Sequence, residues 1–567
     1  MLEPKNFVDL LDAPYSRRGS YMAFANSPNG ENLYGKSTLW LCNCRILGGA
    51  MSNLDKPNGF RQVRLDAVKD GVALPCVIST TQSEVILETR HGSIRFCIGE
   101  RKLVMARSDD GLTLRVTPTP AFMSPASVNM MDSGRRLIDF GVTHIVVTPL
   151  TGELAASHAF LDMAPDASGV MQAAFEEFLI DPVLRGVGDY PSYETCVKSV
   201  EDDLNEFCAR VMPSLPGEYE SMRLPALWHT WSMIVLPDGE SDYKRPMVKM
   251  MHSLFEGAFV WQQPMQAIWL SNDPELSWQV FISGFDNLDA NGRMVDGLGF
   301  RASVGGLGLK PPVHGAALMW LLDRDIYKDV PDAEWEPVYE GLITWTNYFL
   351  NFRDRDGDGV AEFQSLLETG WEDAPYYNNG FPCASPDLNA LLALQMEAVA
   401  RLGRKLGKPA AESDGWEKKS KELIGKLIAK FWDGERWFAY NAETGVKSSS
   451  ATVSLYVPLI LGKRLPQDII DKSIAFMFGP DGFNTPYGLA SEGLTSDYFH
   501  HGFTQGCVIT PAQLLFVLAF EACGRPDLAK TVAQGYCTAL RKHGFVHITN
   551  PLNGHCDRSL TAWGEPG

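Results

Sequence analysis

The chain has 567 residues, too many for one ordinary hydrophobic core, so its length predicts two or more domains. Apolar residues make up 45% and charged residues 21% of the sequence, a composition typical of a folded protein rather than a disordered one. The net charge of −19 argues against a basic surface for nucleic acid and favours a neutral or cationic small ligand.

The sequence predicts a cytoplasmic location. The first residues lack the charged segment and apolar run of an export signal, and no window approaches 18 uninterrupted apolar residues. Eleven cysteines, an odd number without CxxC pairs, are typical of buried thiols in a reducing compartment. We expect no membrane as a partner, and a homo-oligomer is compatible with the sequence.

Short runs of alternating apolar and polar residues dominate the first part of the chain. This period of two puts one face of each run into a core, which predicts an antiparallel β-sandwich over residues 1–165. A linker with a helix is then predicted over 166–220. The runs are Ser37–Cys42, Arg61–Leu65, Ser83–Thr89, Ser93–Ile98, Leu112–Val116 and Thr143–Thr148.

The apolar pattern becomes helical for the rest of the chain, and residues 221–567 are predicted to form an all-α domain. Successive helices joined by loops of alternating length favour six inner and outer pairs closed into an (α/α)6 toroid barrel. An open α-solenoid is the alternative, but the fixed repeat that a solenoid leaves is missing. The predicted helices are about 223–236, 254–270, 275–288, 312–325, 334–352, 386–405, 413–431, 451–461, 467–477, 511–523 and 526–543. We expect Ser385 to cap the helix at 386–405, with Pro386 in its first turn.

An aspartate-rich loop follows the helix predicted at 334–352. Asp354, Asp356 and Asp358 alternate before Gly359, a spacing that lets one tight loop direct several carboxylates at a hard cation such as calcium. Glu362 supplies a further carboxylate, although the twelfth loop position of an EF-hand holds serine here. A structural calcium site and a simple turn after the helix are equally good interpretations of this fragment.

The next segment places three carboxylates, Glu368, Glu372 and Asp373, around Trp371, and Pro375 discourages a helix there. Glycoside cleavage needs a carboxylic acid that protonates the leaving oxygen, and a neighbouring carboxylate or an apolar wall keeps that acid protonated. An indole beside it offers a platform for a sugar ring. Acidic loops are nevertheless usually solvated surfaces, and Trp is usually core.

The run RDRDGDGVAEFQSLLETGWEDAP resembles the signature of the clan of inverting barrel glycosidases that contains trehalases, processing α-glucosidases and mannosylglycerate hydrolases. Their pattern is an Asp-rich loop followed by Glu-Ser/Thr-Gly-x-Asp-x-Ser-Pro-Arg. The clan architecture, a β domain before an (α/α)6 barrel, agrees with the fold predicted above. Weaker similarities begin at Phe259, Lys310, Ser385, Gly482, Asn550 and Ser559.

The resemblance implies catalytic residues, and the chain departs from the clan at several of them. Glu372 stands where the clan has its Asp general acid, with Asp373 as the alternative. His547 stands where the clan has its Glu general base. Histidine can act as a base near pH 7, but a carboxylate can replace it. The other candidates are Glu565, Asp557, Glu492 and Asp497.

The sugar-contacting positions also change. Gln262 stands where the clan has Asp, Thr504 and Gln505 replace Trp and Arg, and Tyr376 replaces the Arg after Ser-Pro. Loss of that Arg removes a bidentate partner for a carboxylate, which favours a neutral glycoside over a glycerate one. The substrate-binding residues implied by the resemblance are Glu368, Trp371, Trp261, Gln262, His314, Gln505 and Trp563.

Together these features predict an inverting, exo-acting glycoside hydrolase for a small α-linked glucosyl or mannosyl glycoside, with Glu372 as the general acid. We expect no organic cofactor, because no glycine-rich phosphate loop precedes a helix. Two alternatives stay open. The altered base position can mark different chemistry in the same barrel, such as a lyase or a phosphorylase, or a barrel that binds sugar without cleaving it.

Overall fold

A computed structural model gives the conformation of most of the chain. The described residues are 5–10, 13–26, 38–43, 63–119, 126–131, 134–141, 143–179, 182–241, 243–249, 258–298, 303–304, 309–545 and 548–555. Within these ranges no helix has both the length and the hydropathy that crossing a bilayer would require. The chain divides into two compact units, one of residues 1–258 and 298–302 and one of residues 259–297 and 303–567.

The described residues of the first unit form two large antiparallel sheets, as the period-two runs predict, and one small two-stranded sheet, Ile234–Val235 with Met247–Val248. One large sheet has the strand order β1-β2-β3-β9-β14-β13, with β4 paired to β3, and the other the order β10-β11-β12-β15-β8-β7-β6-β5. The strands are β1 Met22–Asn26, β2 Leu39–Asn43, β3 Val63–Lys69, β4 Val72–Ala73, β5 Val77–Thr80, β6 Val85–Thr89, β7 Gly92–Glu100, β8 Leu103–Ser108, β9 Thr113–Pro118, β10 Ser127–Met130, β11 Arg136–Asp139, β12 His144–Thr151, β13 Glu153–Ala156, β14 Leu161–Ala164 and β15 Met171–Phe178.

Side chains alternate between the core and the surface along these strands. Val63, Leu65 and Ala67 of β3 are fully or almost fully buried, while the residues between them are partly exposed. Val85 and Leu87 of β6 follow the same rule on the other sheet. Because each strand buries one face, the two sheets enclose a shared apolar core.

Helices make up most of the second unit, and two further helices belong to the first. The first unit includes α1 Tyr193–Val211 and α2 Glu220–Met233. The second contains α3 Gln263–Trp269, α4 Pro274–Ile282, α5 His314–Asp323, α6 Asp332–Phe352, α7 Pro386–Lys405, α8 Ala410–Phe431, α9 Gln467–Met477, α10 Thr510–Ala522, α11 Pro526–His543 and a 3-10 helix, Val453–Arg464.

The helices of the second unit form an inner and an outer layer. Helices α3, α5, α7, the 3-10 helix and α10 contact one another in that order. Helix α4 packs on α3, α6 and α8 on α7, α9 on the 3-10 helix, and α11 on α10. This alternation is the arrangement expected of an α/α toroid. The predicted fold class, antiparallel β-sheets followed by an α/α barrel, is confirmed.

The sequence-based domain limits at residues 165 and 220 stay predictions, and the compact units divide elsewhere. Strand β15 continues the second sheet beyond residue 165.

Ser385 occupies the N-cap position of α7 as predicted, but its hydroxyl donates to the carboxylate of Asp387 rather than capping the helix. A hydroxyl caps a helix by accepting a hydrogen bond from a backbone N–H of the first turn, and Ser385 accepts none.

Candidate active site

The segment with three carboxylates folds into a tight turn. The carbonyl oxygen of Trp371 accepts a hydrogen bond from the Ala374 nitrogen at 2.9 Å, so Glu372 and Asp373 are the two central residues. Pro375 then begins a 3-10 helix, Pro375–Tyr377, because its ring fixes the backbone there. Adjacent positions in such a turn point in different directions, and the two carboxylates accordingly have different partners.

Glu372 forms an ion pair with a buried lysine. Its Oε1 lies 2.5 Å from Nζ of Lys310, which also donates to the carbonyl oxygen of Leu367 at 2.8 Å. The Glu372 side chain is 18% exposed, and no described residue donates a hydrogen bond to its Oε2. One carboxylate oxygen is therefore fixed, and the other is available to a ligand.

Asp296 is a second carboxylate on the same lysine, and the sequence analysis did not identify it. Its Oδ2 lies 3.9 Å from Lys310 Nζ, and its Oδ1 is buried without a hydrogen-bond partner. Burial raises the pKa of Asp296 to about 6, and Glu372 adds to this while Lys310 opposes it. The Asp296 and Glu372 oxygens that share this ammonium cannot be farther apart than the sum of its two distances.

Asp373 ties the turn to a second loop. Its Oδ1 accepts hydrogen bonds from the Thr504 nitrogen at 2.7 Å and from the Thr504 hydroxyl. The Gln505 side-chain amide donates to the backbone carbonyl of Asp373. The two residues that replace the clan's Trp and Arg thus hold residues 368–375, the acid loop, in place. Thr504 engages Oδ1 of Asp373, while no described residue donates a hydrogen bond to its Oδ2.

Glu368 is held by an ion pair inside the protein. Its Oε1 lies 2.6 Å from Arg353 Nη2, its Oε2 accepts from the Gln364 nitrogen at 2.7 Å, and its side chain is 4% exposed. Burial raises the pKa of Glu368, and Arg353 opposes that shift. These contacts join the end of α6 to the acid loop and leave little carboxylate surface for a sugar.

The predicted aromatic platforms are largely enclosed. Trp371 is 2% and Trp261 is 7% exposed. The Trp261 indole lies against Gly370, since a Cβ at that glycine would come within 3.0 Å of Trp261 Cη2. Gln262 is the last residue of the adjoining 3-10 turn, Val260–Gln262, and is partly exposed. The Trp261 indole therefore packs against the acid loop at Gly370.

His314, the first residue of α5, lies in the core. Its ring centroid is 5.0 Å from that of Trp345 and 5.3 Å from that of Phe285, and neither ring nitrogen has a hydrogen-bond partner. Burial lowers the pKa of His314 to about 3, so the ring is neutral. The structure offers this predicted ligand-binding residue no surface for a sugar.

The aspartate loop brings its carboxylates together. Ligand oxygens of Asp354, Asp356 and Asp358 lie within 4.8 Å of one another. Glu362 faces them from a buried position, and burial followed by the charge of Asp356 raises its pKa to about 7. Asp354 Oδ1 is buried without a partner, whereas Asp358 Oδ2 pairs with Lys430 Nζ at 2.6 Å. Oxygen donors at this density suit a hard cation such as calcium.

The candidates for the general base fall into two groups. His547, Glu565 and Asp557 lie outside the described residues, as does Trp563. Glu492 is fully buried, and its carboxylate accepts from the Ala451 nitrogen and from two hydroxyls, at 2.6–2.8 Å. Asp497 is exposed. Glu492 thus has its hydrogen-bonding capacity satisfied by the protein itself.

Comparison with known proteins identifies the class of domain. Residues 306–562 match the model of the mannosylglycerate hydrolase MGH1-like glycoside hydrolase domain. The enzyme class is therefore glycosidase. This range includes the aspartate loop, the acid loop and Lys310, and the resemblance to the clan of (α/α)6 glycoside hydrolases is confirmed.

Several solved structures resemble this glycosidase. The GH63 mannosylglycerate hydrolase from Thermus thermophilus in complex with glucose is 17% identical, with 55% of this chain and 91% of that one covered and a TM-score of 0.48. The neutral trehalase Nth1 from Saccharomyces cerevisiae is 13% identical, with 56% and 72% covered and a TM-score of 0.45. No curated protein matches the chain in sequence.

Proposed function

We propose that the glycosidase is an inverting, exo-acting enzyme that removes an α-linked glucosyl or mannosyl group, with Glu372 as the general acid. The supporting observation is the difference between the three carboxylates of the acid segment. Both oxygens of Glu368 are engaged, whereas Glu372 and Asp373 each keep one oxygen without a described donor. A proton donor needs such an oxygen facing the leaving group. Of these two residues, Glu372 stands at the position where the clan has its acid.

The surroundings of Glu372 favour a neutral glycoside. Tyr376, which replaces the clan's Arg, is 1% exposed, and its hydroxyl is buried without a partner. The Lys310 ammonium already contacts Glu372 Oε1 and, at longer range, Asp296 Oδ2. Because the Tyr376 hydroxyl is enclosed in the core and the Lys310 ammonium is engaged, neither offers a glycerate carboxylate an accessible partner.

The water-activating base remains part of the proposal. We infer His547 or Glu565, because His547 stands at the position of the clan's base, Glu492 is satisfied by the protein, and Asp296 shares the ammonium of Lys310 with the proposed acid. His547 near neutral pH would serve as a neutral imidazole that accepts the proton of water.

The test of the acid is Glu372→Gln, with Asp373→Asn as the matched variant on the adjacent residue. On a disaccharide that the wild type cleaves, Glu372→Gln should lower kcat by about 10²–10⁴-fold, the usual contribution of a general acid. The loss should be smaller on an aryl glycoside, whose leaving group needs less protonation. Equal turnover by Glu372→Gln and wild type on the disaccharide would remove Glu372 from the mechanism.

Product analysis tests the reaction type. Proton NMR of the first-formed sugar should show the anomer opposite to that of the substrate, with water as the acceptor. A sugar phosphate or an unsaturated sugar would instead identify a phosphorylase or a lyase in the same barrel.

We also propose that the aspartate loop binds a structural calcium ion. Asp354, Asp356, Asp358 and Glu362 would supply its oxygens, and the unpartnered Asp354 Oδ1 supports this assignment. The ammonium of Lys430 competes for one of these oxygens. Such an ion would brace the junction between α6 and the acid loop, away from the chemical step.

Calcium should raise the melting temperature of the wild type but not that of Asp356→Asn. The rise should be larger at pH 8 than at pH 5.5, because Glu362, with a pKa raised to about 7, must lose its proton to bind the ion. In the calcium-free protein, Glu362 should lower the free energy of unfolding as the pH rises from about 4.5 to 7. Over this range the folded state holds a proton on Glu362 that the unfolded state has already released. An equal response in Asp356→Asn would show that calcium acts elsewhere.

A further inference from the structure

Lys310 has an unusual environment for a lysine. Its side chain is 7% exposed, and its ammonium contacts Glu372 Oε1, the Leu367 carbonyl oxygen and, at longer range, Asp296 Oδ2. A buried ammonium is costly unless carboxylates and hydrogen bonds compensate it. All three oxygens belong to segments that surround the proposed acid.

The backbone around Lys310 is well suited to hold a side chain in one place. Pro311 and Pro312 follow it directly and fix the chain before α5 begins at His314. The ammonium that contacts Glu372 thus stands next to a stiff segment of backbone.

We propose that Lys310 and Asp296 are positioning residues, which hold Glu372 in place and set the pH range in which it can carry the proton for the leaving oxygen. This inference rests on the proposed role of Glu372 as the acid. Lys310 acts on Glu372 directly, through the 2.5 Å ion pair. Asp296 acts by sharing the same ammonium from the other side.

The charges around Glu372 have opposite effects on its proton. The ammonium of Lys310 favours the ionised carboxylate, whereas a negative charge on Asp296 favours the protonated one. Among the described residues, Asp373 adjoins Glu372, and the phenol of Tyr377, whose pKa is raised by burial, also lies near it. Asp296 changes its own charge around pH 6, so it acts mainly above that pH.

The test compares the pH dependence of kcat/KM in three variants. Lys310→Gln and Lys310→Met remove the ammonium that contacts Glu372 Oε1, so the high-pH limb of the kcat/KM profile should move to higher pH. Asp296→Asn removes the nearby negative charge with little change of shape, and the same limb should move down. If Lys310 and Asp296 were only structural, their variants would lose activity, but the high-pH limbs of their profiles would not move in opposite directions.

The control is Lys408→Met, which removes an ammonium from an ion pair with Glu336 on the outer surface of the second unit. Its pH profile should equal that of the wild type. The proposal would be overturned if the high-pH limbs of Lys310→Gln and Asp296→Asn moved in the same direction, or if both moved by less than about 0.3 pH units. Lys310→Gln keeps a hydrogen-bond donor, which guards against a folding defect in Lys310→Met.

A measurement without substrate separates failure of this proposal from failure of the proposed function. Melting temperatures of Lys310→Met, Glu372→Gln and the double variant form a mutant cycle. Each single variant leaves a buried charge or amide without its partner. The melting temperature of the double variant should therefore fall by less than the sum of the decreases in the two single variants. Additive decreases in melting temperature would refute the contact between Lys310 and Glu372. A non-additive cycle in a protein without any glycosidase activity would refute the proposed function but not the contact.

Discussion

Glycine is required at position 370 for two separate reasons. Its backbone has a φ of +74°, which side chains with a Cβ rarely adopt, and an added Cβ would lie 3.0 Å from the Trp261 indole, closer than ordinary van der Waals contact. The residue stands between Glu368, which is fixed by Arg353, and the turn that carries Glu372. A small displacement here would therefore move the proposed acid.

Gly370→Ala should lower both stability and kcat, and Gly407→Ala provides the matched control. Gly407 also has a positive φ, of +67°, but nothing lies within 4 Å of an added Cβ. Backbone strain alone should cost each variant about 1–2 kcal/mol of unfolding free energy. Only Gly370→Ala should also lose kcat, by about tenfold or more, because the indole must move. Equal kcat in the two variants would show that Trp261 does not position the acid loop.

Elements with a clear apolar period were predictable, and those fixed by long-range contacts were not. Helix α7 begins and ends within a residue of its prediction, because its apolar stripe and its first-turn proline mark it locally. The predicted helix at 451–461 is a 3-10 helix instead. Pro458 removes a backbone donor there, and Gly462 has a φ of 55°.

The residues of the candidate site fall into the same two groups, those that a local pattern predicts and those that only the fold brings together. Glu372, Asp373 and the aspartate loop were found because one short motif contains them. Asp296 was missed because it precedes Lys310 by 14 positions in a segment without periodicity, and only the fold brings the two side chains together. The burial that encloses His314 and Trp371 was equally invisible, since a ligand-binding and a core aromatic residue look alike in sequence.

At the scale of the whole molecule, the first unit depends on a strand that the sequence-based boundary leaves out. Strand β15 pairs with β12 on one side and with β8 on the other, in the middle of the eight-stranded sheet. Without β15 this sheet separates into β10-β11-β12 and β8-β7-β6-β5. Each part then has an unpaired edge, and the apolar side chains under β15 lose their cover.

Helix α1 supplies a second requirement, because it packs on β7 and β8 with Tyr193, Cys196 and Val200 buried. We therefore expect a fragment of residues 1–165 to aggregate. A fragment of residues 1–186 restores the sheet but leaves the surface under α1 exposed, so it should be soluble only in part. Residues 1–241 should be soluble and melt cooperatively in far-UV circular dichroism. If residues 1–165 alone melted as cooperatively as residues 1–241, β15 and α1 would be dispensable and the shorter boundary would define the folding unit.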